Sequence, residues 1–543
     1  MTFRAILALI AAITLLTACG GGGGGGSSSD TRPDAINLGE ETDAALSTQF
    51  TDTVTITGID ASTTISITGG EYSLDSGTTF TSENGRVTNN QEVIVRGTSA
   101  ATVSTDVDVV LTVGGVTGTF TITTFDDTTA PTVAIAFPPP ASMTQDTEVL
   151  VRGTATDDYS GIATLQVNGV DVTDTSDNGS YSTWQIRAAL TAGENTLTVT
   201  ASDSAVIANE IAVGDQPSVA VRSDAAMGDF PDSDNPLSYP EGIAVDYERN
   251  RIILGDRDLA TFITVNMDTG ARTTFSDNST PSSIFFPNNR PDGLLVDAEN
   301  DRMFVTNYVD DVIYEIDLVT GVRTEISSNV ISSDAPVINN PTALIFHPEN
   351  ENELVVFDSS ALVRVNLLDG VRTTLSSAGQ GDHDPVPDNT TRLGSVLGGV
   401  YDSSRSGFFV MNNNSTGEVV FVSLSDGART IFSDNTTPNS NAPLFDQPQT
   451  IAFDEENERL LANEIDLAAL ISVDTSTANP GVRSIFSDAT TPNAINVALT
   501  PEEIYYDGNL GYAYWVDSVL DALLAVDIET GERVFVTRGD SDE

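Results

Sequence analysis

Three acids occupy matching places in a phrase that this chain repeats six times. Glu241, Asp292 and Glu502 each follow a proline that opens a short, largely apolar run closed by an acid. Pro240-Glu241-Gly242-Ile243-Ala244-Val245-Asp246 is the first copy, and Pro291-Asp292-Gly293-Leu294-Leu295-Val296-Asp297 is the second. The others run from Pro341 to His347, Val396 to Asp402, Pro448 to Asp454 and Pro501 to Asp507. They put Thr342, Leu397 and Gln449 at the remaining matching positions. Carboxylates that converge repel one another unless a cation or hydrogen bonds intervene. A hard cation with oxygen ligands, such as calcium, meets that need. Glu241, Asp292 and Glu502 are therefore read as a candidate calcium site. The competing reading is a solvated acidic rim.

Other chemistry is thinner. The chain has two histidines. His347 closes the third copy, and His383 sits in the turn-rich stretch Gly381-Asp382-His383-Asp384-Pro385. There is no Gly-x-Ser-x-Gly elbow, no His-Glu-x-x-His and no phosphate loop. All 23 basic residues are arginine, which removes lysine bases and Schiff-base chemistry. No catalytic residue is assigned.

The 79 acids give a net charge of −56. Such a surface repels nucleic acid, which binds by exchanging counterions for basic side chains. It suits cationic partners, divalent metals or a salty medium.

The elements that must position the acids follow from the repeat. The steps between copies are 51, 50, 55, 52 and 53 residues. A period near this length, built of short strands, predicts propeller blades. In the first blade, Gly242 to Asp246, Arg251 to Asp256, Phe262 to Asn266 and Arg272 to Phe275 read as four antiparallel strands. Gly-x-Arg recurs in every copy: Gly270/Arg272, Gly321/Arg323, Gly370/Arg372, Gly427/Arg429, Gly481/Arg483 and Gly531/Arg533. The glycine supplies a positive φ in a hairpin. The arginine is expected to guard the outer edge strand with its charge. The second strand ends in Asp256, Asn307, Asp358, Asn412, Asn463 and Asp517, expected to bond the backbone of the next turn. Phe275, Phe432 and Phe486 open three similar loops and are expected to be buried between blades. The first strand of each blade is innermost, so the residue after each leading proline lies at the channel mouth. Blades six, one and two are neighbours, which brings Glu502, Glu241 and Asp292 together.

Residues 239–543 resemble the six-bladed NHL, YWTD and gluconolactonase-like (TolB-like) propellers; Tyr514-Trp515-Val516-Asp517 is a YWTD-type element. In the gluconolactonase-like branch the resemblance implies metal ligands at the channel positions: a Glu, two amide residues and an Asp. Glu241 and Asp292 match that set in type. Thr342 and Leu397 depart from it, and Gln449 is a poor substitute.

The N-terminus reads as an address. Arg4, the apolar run Ala5 to Leu16, and Leu16-Thr17-Ala18-Cys19 resemble a bacterial lipoprotein signal. That resemblance implies cleavage before Cys19, acylation of the chain's single cysteine and an outer-membrane anchor. Residues 20–33 are a Gly/Ser-rich tether. Residues 34–125 carry about seven short strand-like runs and predict an Ig-like sandwich. Residues 130–214 resemble bacterial Ig-like domains through Ala130-Pro131-Thr132-Val133, Gly153-Thr154-Ala155-Thr156-Asp157-Asp158, Trp184 and Gly193-Glu194-Asn195-Thr196-Leu197-Thr198-Val199. Residues 217–543 are assigned to the propeller and are expected to fold alone, with Val219 to Asp224 or Arg533 to Val536 closing the ring.

The expected fold class is all-β: two Ig-like β-sandwich modules followed by a six-bladed β-propeller. Two functions remain open. One is a lipoprotein, anchored to the membrane through Cys19, whose stalk presents a binding platform for protein or glycan on the propeller's top face. The other is a gluconolactonase-like metal-dependent hydrolase, or lactonase.

Overall fold

A computed structural model describes residues 29–205, 207–226, 228–231, 235–279, 290–330, 336–377, 393–413, 416–438 and 442–539. Cys19, most of the Gly/Ser tether and His383 lie outside the described residues. The chain is all-β and forms two compact units, residues 1–128 and 129–543. Among the described residues no helix is long and apolar enough to cross a membrane.

The first unit is a sandwich of a five-stranded and a three-stranded sheet. Its strands alternate as half-buried strands do: Thr63–Thr68 and Glu92–Thr98 turn every second residue inward. Ile65, Val93, Val95, Val109, Leu111 and Ile122 meet between the sheets and are fully buried.

The second unit begins with an Ig-like sandwich. One sheet contains Thr132–Phe137, Glu148–Thr156 and Trp184–Ala189. The other contains Ile162–Val167, Gly193–Asp203, Ser218–Ser223 and Ala141–Thr144. Trp184 is core, as its type suggests.

Six antiparallel meanders of four strands follow, starting at Pro240, Pro291, Pro341, Val396, Pro448 and Pro501. Each innermost strand packs beside the next, and Pro501–Tyr505 packs beside Pro240–Asp246, closing the ring. The acid ending the innermost strand has a use the sequence did not show. Asp246, Asp297 and Asp454 each hold the arginine that starts the next strand, Arg251, Arg302 and Arg459, at 2.8–2.9 Å.

Two expectations are corrected here. Val219 to Ser223 is not propeller edge. It lies in Ser218–Ser223, which pairs with Gly193–Asp203 and Ala141–Thr144 in the Ig-like sheet. That sheet also continues into blade six: Ala141–Thr144 meets the outer strand Arg533–Arg538 at Met143 and Phe535. A propeller cut out at residue 217 would lose this cover. Met143 is fully buried in the core of blade six. Phe137 meets Tyr512 edge to face at 6.5 Å. Arg152 is paired with buried Asp527 and donates to the Gly511 carbonyl at 2.7 Å.

The recurring arginines are the second correction. Each is at most 7% exposed, so none guards an edge. They tie blades together instead. Arg323 Nε donates to Ser276 Oγ of the preceding blade at 3.0 Å, and Arg533 Nη1 to Ser487 Oγ at 2.6 Å. The same serines donate across to Gly321 and Gly531 carbonyls, both at 2.8 Å. Ser327, Ser376 and Ser433 repeat this bond to Gly370, Gly427 and Gly481. These glycines hold φ of +67° to +79°, which fits their turn. At the closure Thr537 takes the serine's place and accepts from Arg272 Nη1 at 2.8 Å. Phe275, Phe432 and Phe486 are only half-buried; the serine after each is the buried residue.

The Asp or Asn ending the second strand bonds backbone in five of the six blades, and Asp256, Asp358, Asn412 and Asp517 reach further than the next turn. Asp517 accepts from Leu499 and Thr500 N–H as well as Val519 and Leu520. Asp256 accepts from Ser238 and Tyr239, and Asn412 from Gly394 and Ser395. It therefore pins the segment that enters the channel mouth. In blade five Glu464 does this for Asp446 and Gln447, while Asn463 accepts from Trp515 Nε1 at 2.7 Å.

Burial pushes the Asp358 carboxyl up to about 6, against the backbone donors Asn339 and Ser360 that pull it down. The folded chain thus holds this proton more tightly than the unfolded chain. The stability it supplies is full below about pH 4 and is lost as pH rises through about 6. Asn307 and Asn412 already fill the equivalent place. Asp358→Asn should therefore flatten the decline in melting temperature between pH 5 and 7 and leave the variant more stable at pH 8. The gain is at most roughly 3 kcal/mol at about 1.4 kcal/mol per unit. Identical pH profiles for the two proteins would refute this.

Candidate functional site at the channel mouth

The six positions after the leading residues line one cavity of about 170 Å³: Glu241, Asp292, Thr342, Leu397, Gln449 and Glu502. The structure brings the three predicted acids to the same opening. His347 lies at the far end of its strand from this opening and accepts from Glu349 N–H.

Two further columns of the repeat reach the cavity or its acids, and sequence reasoning missed them. The residue before the leading one puts Arg290 and Ser395 in the lining and Tyr239 against Glu502. The residue after the second strand puts Tyr308 and Ser359 in the lining, Arg257 against Glu241 and Ser518 against Glu502. The signal was available: both columns hold a fixed offset from landmarks that the repeat repeats.

These residues change the electrostatics. Arg257 Nη1 donates to Glu241 Oε1 at 3.0 Å, and Arg290 Nε donates to Asp292 Oδ1 at 3.0 Å. Arg290 also stands 3.6 Å from Glu241 Oε2. The guanidinium groups lie over aromatic rings, Arg257 on Tyr239 at 3.9 Å and Arg290 on Tyr308 at 4.0 Å. Glu502 Oε1 accepts from Tyr239 Oη at 3.1 Å and Ser518 Oγ at 2.7 Å. Glu503, one residue deeper, accepts from Ile243 N–H at 3.0 Å across the ring closure.

Burial raises Asp292 well above the usual carboxylate range, opposed by Arg290 and reinforced by Glu241. Burial also raises Glu241, with Arg290 and Arg257 opposing and Glu502 adding to it. Glu503 is raised well above its ordinary value by burial and by Asp292, Glu241 and Glu502. The mouth is short of positive charge even with two arginines in it.

The donor set does not fit calcium as expected from sequence. Each of the three acids already has an oxygen held by a guanidinium or hydroxyl. Calcium takes six to eight oxygens at about 2.3–2.6 Å. Arginine is the cation that the chain itself places there.

The opening is two-sided. Blades six, one and two bear the charge. Blades three, four and five contribute Thr342, Ser359, Ser395, Val396, Leu397, Gln449 and Thr450. No hydrogen bond within the described protein occupies Tyr308 Oη, Ser395 Oγ or the Gln449 amide.

Comparison with known proteins locates one module. A bacterial Ig domain family matches residues 131–199. No curated protein matches the chain. Among solved structures, a protein of unknown function from Bacteroides thetaiotaomicron is 16% identical and covers 76% of this chain and 98% of its own, with a TM-score of 0.39. An auxiliary nutrient binding protein from the same organism is 11% identical, with coverage of 79% and 95% and a TM-score of 0.32. The PQQ-bound aldose sugar dehydrogenase of Streptomyces coelicolor is 14% identical, with coverage of 57% and 97% and a TM-score of 0.34. Such distant likeness says nothing about what this chain binds.

Proposed function

We propose that the chain is an outer-membrane lipoprotein, acylated at Cys19, whose propeller is a binding module for a small glycan unit. The carrying observation is the set of uncommitted polar groups around the mouth, namely Tyr308 Oη, Ser395 Oγ and the Gln449 amide. Hydroxyl and amide groups that the protein leaves free at a cavity can pair with ligand hydroxyls. A cavity of about 170 Å³ takes one small molecule or the end of a chain. A folded protein partner would have to insert a single side chain there. The lactonase reading would set a metal cation beside the guanidinium charges of Arg257 and Arg290, which already stand on Glu241 and Asp292, so it is not carried forward.

The test uses the full chain with Cys19→Ala as a soluble form. Monosaccharides and short oligosaccharides should raise its melting temperature in a saturable way. Ser395→Ala with Gln449→Ala should weaken this at least about tenfold, equivalent to about 1.4 kcal/mol, while leaving the ligand-free melt unchanged. No saccharide response, or an unaltered response in the double variant, would sink the reading.

A further inference from the structure

Glu241 Oε2 is sealed from solvent and from the cavity, and no nitrogen or hydroxyl among the described residues gives it a hydrogen bond. Oε1 of the same carboxyl takes the Arg257 bond. Arg290 Nε donates to Asp292 Oδ1 at 3.0 Å and stands 3.6 Å from Glu241 Oε2. Each guanidinium also lies over a tyrosine ring, which holds it where it is. A buried acceptor left without a donor costs free energy.

The Asp292 carboxyl is the group in hydrogen-bond contact with Glu241. Two ionised carboxylates at that separation repel each other. The backbone gives them no room to part. The innermost strands of blades one and two meet so closely that a Cβ on Gly242 would stand 2.4 Å from the Asp292 carbonyl oxygen. Gly293 N–H, the next along, is held by Thr306 Oγ1 at 2.8 Å. One proton answers both difficulties. On Asp292 it turns the carboxyl into a donor, satisfies Oε2 and removes one charge, while Oδ1 still accepts from Arg290.

We propose that Asp292 and Glu241 share one proton across the seam between blades one and two, and that this proton latches the wall of the mouth: when it leaves to water, the two carboxylates repel and the seam loosens. The latch stands apart from the glycan reading, which rests on the neutral wall. The groups that face the pair are few. Glu502 and Glu503 from blade six favour keeping the proton, and Arg290 and Arg257 oppose it. Asp258, half-exposed, stands 3.5 Å from Arg257 Nε. Tyr239, Tyr308 and Thr342 are neutral. Burial, the largest influence, holds both carboxyls above their ordinary range, Asp292 far above it. The folded chain therefore holds the proton more tightly than the unfolded chain. Its stabilisation is full below about pH 4 and is lost as pH rises through the raised value.

The experiment is urea unfolding of the full chain with Cys19→Ala from about pH 4 to about pH 9. Asp292→Asn gives Oε2 an amide donor that base does not remove. This variant should match the parent near pH 4. Above that its advantage should grow about tenfold in the unfolding constant per pH unit, then level off. Glu241→Gln keeps Oε1 for Arg257 and offers an amide to Asp292, so it should flatten the profile in the same way. The double variant should gain nothing over the better single one, because one proton is shared. Profiles parallel to the parent's overturn the proposal, and so do gains that add in the double variant, which mean two independent titrations. Hydrogen exchange of the chain with both acids intact decides the matter if a variant fails to fold. Corrected for base catalysis, exchange around residues 238–242 and 290–293 should quicken with pH while the hairpin around Gly321 does not. No such difference overturns the latch.

Discussion

A chain cut to residues 225–543 is expected to melt far below one cut to residues 129–543. The difference is not a matter of ring closure, since both fragments contain all six blades. The Ig-like module lays Ala141–Thr144 along the outer strand of blade six and buries Met143 there. Without it Tyr512, Val534 and Val536, now at most 6% exposed, lose part of their cover. Large side chains contribute about 1.5–3 kcal/mol each when buried, so the loss is roughly 5 kcal/mol or more. Buried Asp527 also loses the charge of Arg152 and keeps only the backbone donors of Glu529 and Thr530. A lone buried carboxylate is strongly destabilising. Scanning calorimetry with a hydrophobic dye should show a low, broad transition and early dye binding for the shorter fragment. Equal melting temperatures would mean that the two modules merely touch.

Arg272→Ala should open the ring at the seam between blades six and one. Arg272 is the arginine of blade one that reaches back to blade six. It donates to the carbonyls of Phe230 at 3.0 Å, Asn235 at 2.7 Å and Arg538 at 2.7 Å, and to Thr537 Oγ1 at 2.8 Å. Its guanidinium is fully buried and pairs with Asp229 at 2.5 Å. Alanine leaves the Asn235 carbonyl without its donor, removes the Arg272 bond to Thr537 and the ion pair to Asp229, and leaves the Phe230 and Arg538 carbonyls only the bonds they take from each other's backbone and, at Phe230, from Thr537 Oγ1. The expected loss is about 3–5 kcal/mol, read as a lower urea midpoint. Arg272→Lys keeps the charge but not the forked donors and should recover less than half. A lysine variant that matches wild type would show that charge alone holds the seam.

The blades were legible because their signal is local and sixfold. Short β-branched runs and the Gly-x-Arg element recur in every copy, and the leading proline in five of six, at nearly fixed spacing, so each copy corroborates the others. The three mouth acids followed from one inference, that the first strand of a blade is innermost. What failed was non-local. Ser218–Ser223 carries the pattern of an outer propeller strand, and nothing in its own residues says that it pairs with Gly193–Asp203 instead. The recurring arginines were correctly taken as structural but given the wrong environment. An arginine at the start of an outer strand reads as exposed until the neighbouring blade's serine and carbonyls are seen around it. The same blindness hid Arg257 and Arg290. They stand in loops, where charge is expected to be solvated, and only the curvature of the ring turns them inward onto Glu241 and Asp292. Acids alone called for a metal; acids with their arginines do not.

The central claim is that the channel mouth of the propeller is where this protein binds. Hydrogen exchange of the full chain with Cys19→Ala, with and without a saturating monosaccharide that raises its melting temperature, tests it most directly. Protection should appear in the segments that carry the mouth, around residues 238–242, 290–293, 395–398 and 500–504, and not in the hairpins around Gly321, Gly370 and Gly427 at the opposite end of the blades. Protection confined to those hairpins or to the Ig-like module, with the mouth segments unchanged, would contradict it.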